Sequence, residues 1–297
     1  MVEMNFAPTA KLREHLALTA LPLELNNARE LGGIVLKDGR RVRRGVLLRT
    51  SRLSDASAED LRKLREDYHL SLVLDMRDEK EIRPAPDPSI EGARWVHTPI
   101  IDFAFIRKSM AAKMQAHQEE AAETDPDKYE PEKVLDQMLH AARMSGNGDT
   151  PLGDAYASYL AGELGREKIG LFFHELAALR GGAALWHCHT GKDRTGIAAG
   201  LILEVLGADW ETIAEDYEAS NLCYLPEIAE MEKILRDKGV EEELIAPLCG
   251  FAGVYRPMLE KAWRYLDETW GGAVAYLKKA CGVSEEELDA IRKRCIE

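Results

Sequence analysis

A cysteine followed six positions later by an arginine, Cys188-His189-Thr190-Gly191-Lys192-Asp193-Arg194, carries the strongest chemistry in this 297-residue sequence. Five intervening residues can curl so that their backbone N–H groups converge on one small anion. Gly191 permits backbone geometry that a side chain would obstruct. A short apolar run (residues 183–187, AALWH) leads into this stretch, and an apolar helical run (residues 195–206) leaves it. That helix aims its positive end at the same point, and Arg194 adds a planar fork for two oxygens. The same donors favour thiolate over thiol at Cys188. One arrangement thus offers a nucleophile and a cradle for a tetrahedral oxyanion. Thiolate attack on phosphorus would give a phosphocysteine that water later cleaves, with the developing charge met by preorganised donors. Residues 189–194 are the expected anion-binding set: His189, Thr190, Gly191, Lys192, Asp193 and Arg194.

Neighbouring residues admit plainer readings. His187 and His189 flank the cysteine, but adjacent residues cannot all point at one metal, and no second His/Cys cluster completes a zinc site. No metal and no cofactor are expected. His187 is expected to hydrogen-bond the loop and His189 to face the pocket mouth. Gly191-Lys192 does not belong to a nucleotide-binding loop, which needs glycine where Trp186 stands and Ser or Thr where Asp193 stands. Thr195 is placed either to donate to the cysteine sulfur or to cap the helix.

The elements that must position this loop follow from local pattern. Residues 34–49 read as two short strands around a turn at Asp38-Gly39. Ser54 and Ser57 offer N-caps for a helix reaching about Tyr68. Residues 70–76 and 95–100 read as buried strands. A helix over 167–179 ends at Gly181-Gly182. Beyond the loop, helices are expected at about 209–220, 226–237, 255–269 and 284–294. Early strands alternating with helices predict an α/β class with a mostly helical C-terminal part. Residues 104–145 are Met-rich and broken at Asp125-Pro126 and Glu130-Pro131, and the segment 104–165 that holds them reads as a helical insertion and a possible lid.

Composition sets outer bounds. The chain is 45% hydrophobic and 31% charged, with a net charge of −13. Such a surface disfavours nucleic acid and anionic membranes, so an anion site must be a local positive pocket. Five scattered cysteines without a CxxC pair argue against a disulfide framework and suit a reducing, cytoplasmic setting, with a non-standard export route left open. No apolar run approaches the roughly 20 residues of a membrane span. The pattern leaves the oligomeric state open.

The HCxxGKDRTG loop resembles that of the bacterial tyrosine and lipid phosphatases, a branch of the protein-tyrosine-phosphatase superfamily. Asn27-Ala28-Arg29-Glu30-Leu31-Gly32-Gly33 is similar to the family's NxRDLGG segment, with Glu30 where Asp is common. Leu48-Arg49-Thr50-Ser51, Asp75-Met76-Arg77 and the tail from Ala275 to Ser284 are also similar. The resemblance implies one phosphatase domain over residues 1–297, with a central, mostly parallel sheet flanked by helices. It implies action on phosphotyrosine, sometimes on phosphoserine or phosphothreonine and phosphoinositides, so a phosphorylated protein or lipid is the expected partner. It further implies Asp193 as general acid, with Asp102, after the strand at 95–100, as the alternative. Lys192 would bring extra positive charge for multiply phosphorylated head groups. Two other classes remain open at this level: a non-catalytic phosphate-binding module, and thiol redox chemistry of the arsenate-reductase type.

Overall fold

A computed structural model describes residues 8–101, 139 and 151–297; of residues 151–154 it gives the backbone only. Asp102 and most of the 104–165 insertion, with the lid expected there, lie outside the described residues.

Five strands form one sheet: β1 (Arg29–Glu30), β2 (Leu47–Thr50), β3 (Leu70–Asp75), β4 (Arg94–His97) and β5 (Ala183–His187), in the spatial order β1-β2-β5-β3-β4. β1 pairs antiparallel with β2, and the other pairings are parallel. Successive side chains of a strand face opposite sides, and here both sides are apolar. Leu47, Leu72, Leu74, Ala184 and Trp186 join the larger core, while Leu48, Val73, Ala183 and Leu185 join a second one. A parallel sheet covered on both faces is the result expected from such runs.

Helices supply the covers. In chain order they are α1 (Ala10–Thr19), α2 (Ala58–Glu66), α3 (Glu79–Ile82), α4 (Pro151–Ala161), α5 (Glu163–Ala178), α6 (Asp193–Leu206), α7 (Trp210–Glu218), α8 (Leu225–Asp237), α9 (Glu242–Cys249), α10 (Arg256–Trp270), α11 (Ala273–Lys279) and α12 (Glu285–Cys295). α2 starts at a Ser57–Asp60 capping box and lays Leu61 and Leu64 on the second core. α6 is buried nearly all round, which explains its unbroken apolar sequence. It stops at Gly207, left-handed at φ +91°. α8 and α9 share a third apolar cluster with Tyr224 and Leu139. No helix among the described residues is long and apolar enough to cross a membrane.

Two local expectations need correction. Residues 34–49 do not form a hairpin of two strands. The Asp38-Gly39 turn exists, with Leu36 N–H bonded to Arg40 O at 2.8 Å and Val42 N–H to Ile34 O at 2.9 Å, but the pairing amounts to an isolated Val35–Arg41 bridge rather than two strands. Val42 also bridges Ile296. The strand at 94–97 is an edge rather than a buried element, and its Trp95 is 46% exposed.

β5 lies at the centre of the sheet. Register places Thr50 and Asp75 beside His187, so β2, β3 and β5 end at one level. Cys188 leaves the sheet there, at the carboxyl ends of parallel strands, where open α/β sheets place their ligands.

Candidate active site

Between His187 and Asp193 the chain makes one tight bend, and its carbonyl groups are tied outward. Cys188 O lies 3.1 Å from His187 Nδ1. His189 O accepts from Arg52 N–H at 3.1 Å. Thr190 O accepts from the Tyr224 hydroxyl. Gly191 O accepts from Arg49 Nη2 at 2.9 Å and Asn27 Nδ2 at 2.8 Å. In a trans peptide the N–H points opposite to its C=O, so each tied carbonyl turns the next N–H toward the inside of the bend. Gly191 has φ +68°, and a Cβ there would stand 2.4 Å from Thr50 O. Only glycine fits.

The helix that follows adds more donors. Lys192 is the N-cap of α6 and makes no side-chain capping bond. The first-turn N–H groups of a helix have no internal acceptors, and an anion satisfies them. Thr195 adds a buried hydroxyl with no hydrogen-bond partner among the described residues.

Arg194 projects from this first turn. Its Nη1 and Nη2 donate to Glu81 Oε2 and Oε1 at 2.5 and 2.7 Å, and Nη1 also reaches Met76 O at 3.2 Å. A guanidinium has five N–H donors. These bonds leave the edge formed by Nε–H and the second Nη2–H, a fork matched to two oxygens of one anion. Burial alone would lower its pKa, but Cys188 and Glu81 outweigh that and keep it firmly charged. Glu81 is held in turn by the Asp78–Glu81 capping box of α3.

Comparison with known proteins fits this geometry. Residues 22–297 match the model of the tyrosine phosphatase family. The chain belongs to that family. It is 28% identical over 266 residues, 89% of this chain and 84% of the other, to a protein of Cupriavidus necator named as a tyrosine-protein phosphatase. It is 29% identical over 273 residues to the triple specificity protein phosphatase PtpB of Mycobacterium tuberculosis, covering 86% and 91% of the two chains. A tyrosine-protein phosphatase of Nostoc commune matches at 36% over 147 residues, 48% of each chain.

The remaining expected residues of this phosphatase fall into distinct places. His189 stands at the rim, its side chain 46% exposed and its Nδ1 3.8 Å from Glu81. Burial and the nearby Arg52 lower its pKa. Lys192 turns away from the bend: Nζ donates to Phe251 O at 2.9 Å and Ala252 O at 2.6 Å, and it lies 5.1 Å from the centre of the Tyr224 ring. Asp193 pairs neither with Arg194 nor as a cap; it accepts from the Tyr156 hydroxyl. Cys188 is 1% exposed. The other buried thiols sit in ordinary packing, where burial pushes Cys249 and Cys281 up to about 12 and Cys295 to about 11.

Several supporting residues escaped the sequence reading. Asp216 on α7 binds Arg29 at 2.8 Å and Arg49 at 2.5 Å, so the guanidinium that holds Gly191 O is itself held. Burial, with Arg29 beside it, pulls Arg49 down to about 10 despite Asp216. Below the bend, His187 Nε2 meets Asp87 at 2.8 Å, and Arg77 Nη2 bridges Asp75 at 2.7 Å and Asp87 at 2.8 Å. Asp75, Asp87 and His187 are close enough to hold a metal. Arg77 already fills the space between the two carboxylates, so the trio is a support for the loop. Replacing Arg77 by Met is expected to cost about 3–5 kcal/mol, because two buried carboxylates lose their cation. Urea denaturation measures this, and a loss below about 1 kcal/mol would contradict the role.

Proposed function

We propose that the chain is a cysteine-dependent protein-tyrosine phosphatase that works through a phosphocysteine intermediate, with one phosphatase domain spanning the chain. The observation that carries this reading is the bend at 188–194, whose carbonyls are all bonded outward while an uncapped helix and the free edge of Arg194 face inward. Cys188 thiolate attacks phosphorus, the bond from phosphorus to the leaving oxygen breaks, and Asp193 gives that oxygen its proton. Water then attacks the phosphocysteine, Asp193 takes the water's proton, and the S–P bond breaks to release inorganic phosphate. Arg194 and the inward N–H groups hold the equatorial oxygens, whose charge is greatest at the transition state. Thr195 donates to the sulfur as it leaves.

Phosphotyrosine is favoured as substrate. Tyr159 and Tyr224 lie close enough to Cys188 to interact with its charge, so aromatic rings adjoin the bend, and phenolate is a good leaving group. Lys192 is engaged by two carbonyls, which weakens the case for a second phosphate and hence for phosphoinositides. The mycobacterial relative's triple specificity makes phosphoserine and phosphothreonine peptides worth including.

The test is a panel of para-nitrophenyl phosphate, the three phosphopeptides and inositol lipids, assayed with EDTA, beside Asp193→Asn. Metal-independent hydrolysis, fastest on aryl phosphates, is expected. Asp193→Asn should lose the basic limb of the pH–rate profile and on the order of 10²–10⁴ in rate on alkyl phosphates. Binding without turnover would leave only a phosphate-recognition module, and an arsenate-induced disulfide at Cys188 would point to redox chemistry instead.

A further inference from the structure

A buried pair of tyrosines stands directly behind the proposed acid. Tyr156 on α4 donates through its hydroxyl to Asp193 Oδ1, and its oxygen lies 3.0 Å from the Tyr217 hydroxyl on α7. The two rings meet edge to face at 6.3 Å. Both residues are buried. The fold goes to some length to place them. Gly196, one turn after Asp193, lets Tyr217 against α6, since a Cβ there would stand 2.9 Å from Tyr217 Cδ2. At the other end of α4, Tyr276 donates to Leu160 O at 2.9 Å.

We propose that Tyr156, backed by Tyr217, is the positioning residue of the acid: it holds one oxygen of Asp193 and presents the other to the leaving group. This rests on the reading of Asp193 given above. With Oδ1 taken, Oδ2 makes no hydrogen bond among the described residues, so it is the oxygen that carries the proton. Once that proton is given, the Tyr156 bond becomes charge-assisted and stabilises the carboxylate that must later accept water's proton. Tyr217 can donate to Tyr156 in both states. Burial, and then the charge of Asp193, push both phenols well above their usual range, so they act as donors throughout. The other charged or titratable groups facing Asp193 are Tyr159 on α4, Tyr224, Lys192 and Arg194. None of these makes a hydrogen bond to its carboxylate among the described residues.

Tyr156→Phe keeps the ring and removes the bond. A carboxylate that loses a donor holds its proton more tightly, so the basic limb of the kcat profile should move to higher pH by about one unit. The acid is also less well aimed, so kcat should fall on the order of tenfold for a phosphoserine peptide. For para-nitrophenyl phosphate, whose leaving group needs little protonation, kcat should fall only about twofold, with KM nearly unchanged in both cases. Tyr217→Phe should act in the same direction and less. Combined with Asp193→Asn, Tyr156→Phe should add almost nothing, as expected of residues acting as one unit. An unmoved limb with equal losses on both substrates would overturn the proposal and leave Tyr156 a packing residue. A basic limb that survives in Asp193→Asn would remove Asp193 as the acid, and the tyrosine role with it; that outcome is read from a different variant and so is separable.

Discussion

Cys188→Ser is expected to lower kcat by at least about 10⁴-fold while leaving phosphate binding within a few-fold of the starting protein. The two halves of this expectation come from different atoms. Turnover needs a nucleophile that is ionised beside the helix end, which a thiol allows and an alcohol does not. Binding needs the inward N–H groups and Arg194, and their orientation is set by bonds to His187, Arg52, Tyr224, Arg49 and Asn27, none of which involves the sulfur. Steady-state kinetics on para-nitrophenyl phosphate, with calorimetric titration of phosphate or a phosphotyrosine peptide, measures both. Residual turnover within tenfold of the original would remove Cys188 from the chemistry. Lost binding with full folding would show that the thiolate, not the cradle, holds the anion.

Arg194→Lys, which preserves the charge and deletes the fork, is expected to cost on the order of 10²–10³ in kcat/KM, most of it in kcat. The reason lies in how the guanidinium is used. Its outer edge is matched to Glu81 and its third bond goes to Met76 O, which fixes the plane and leaves one edge for the anion. An ammonium offers a point charge without that geometry. Because the fork is matched to oxygens that spread apart and gain charge at the transition state, its loss should raise KM far less than it lowers kcat. Glu81→Gln, which keeps the shape but weakens the hold, should fall between the two proteins. Kinetics within about threefold of the original in Arg194→Lys would mean that charge alone suffices, contrary to this account.

What could be read from the sequence was what lies close together in it. The proposed nucleophile, the glycine, the proposed acid and the proposed clamp fall within seven residues, so their spacing alone proposed a shape, and β5 and α6 have the expected limits at 183–187 and near 193–206. The α/β class followed from strand and helix alternation, and the central, mostly parallel sheet from the resemblance of the loop and strand ends to the phosphatase family. The bonds that hold the bend in shape come from far away in the chain. Glu81 announces itself only as the last residue of an Asp-x-x-Glu capping box, a pattern that usually speaks of helix ends. Arg49 left a faint signal, a charge inside the buried run Leu47–Thr50, and such a charge must have a partner. Asp216, its partner, sits in an unremarkable amphipathic helix. Tyr156 lies within the segment 104–165, whose pattern suggested only an insertion or lid. The missing strands have a similar cause: Asp38-Gly39 is a true local turn, but the segment after it also bridges Ile296, 254 residues beyond Val42. Lys192, assigned to the ligand as a cation beside an anion loop, has its ammonium bonded to Phe251 O and Ala252 O, contacts that lie far off in the chain.

The most direct test is rapid acid quenching of turnover with a phosphotyrosine peptide, followed by proteolysis and mass spectrometry of the fragment that carries Cys188. That fragment is expected to gain the mass of one phosphoryl group during turnover, and the gain should vanish in Cys188→Ser and on prolonged incubation without substrate. Steady hydrolysis with no phosphorylated Cys188 fragment at any quench time, under conditions that preserve a phosphocysteine standard, would contradict the account.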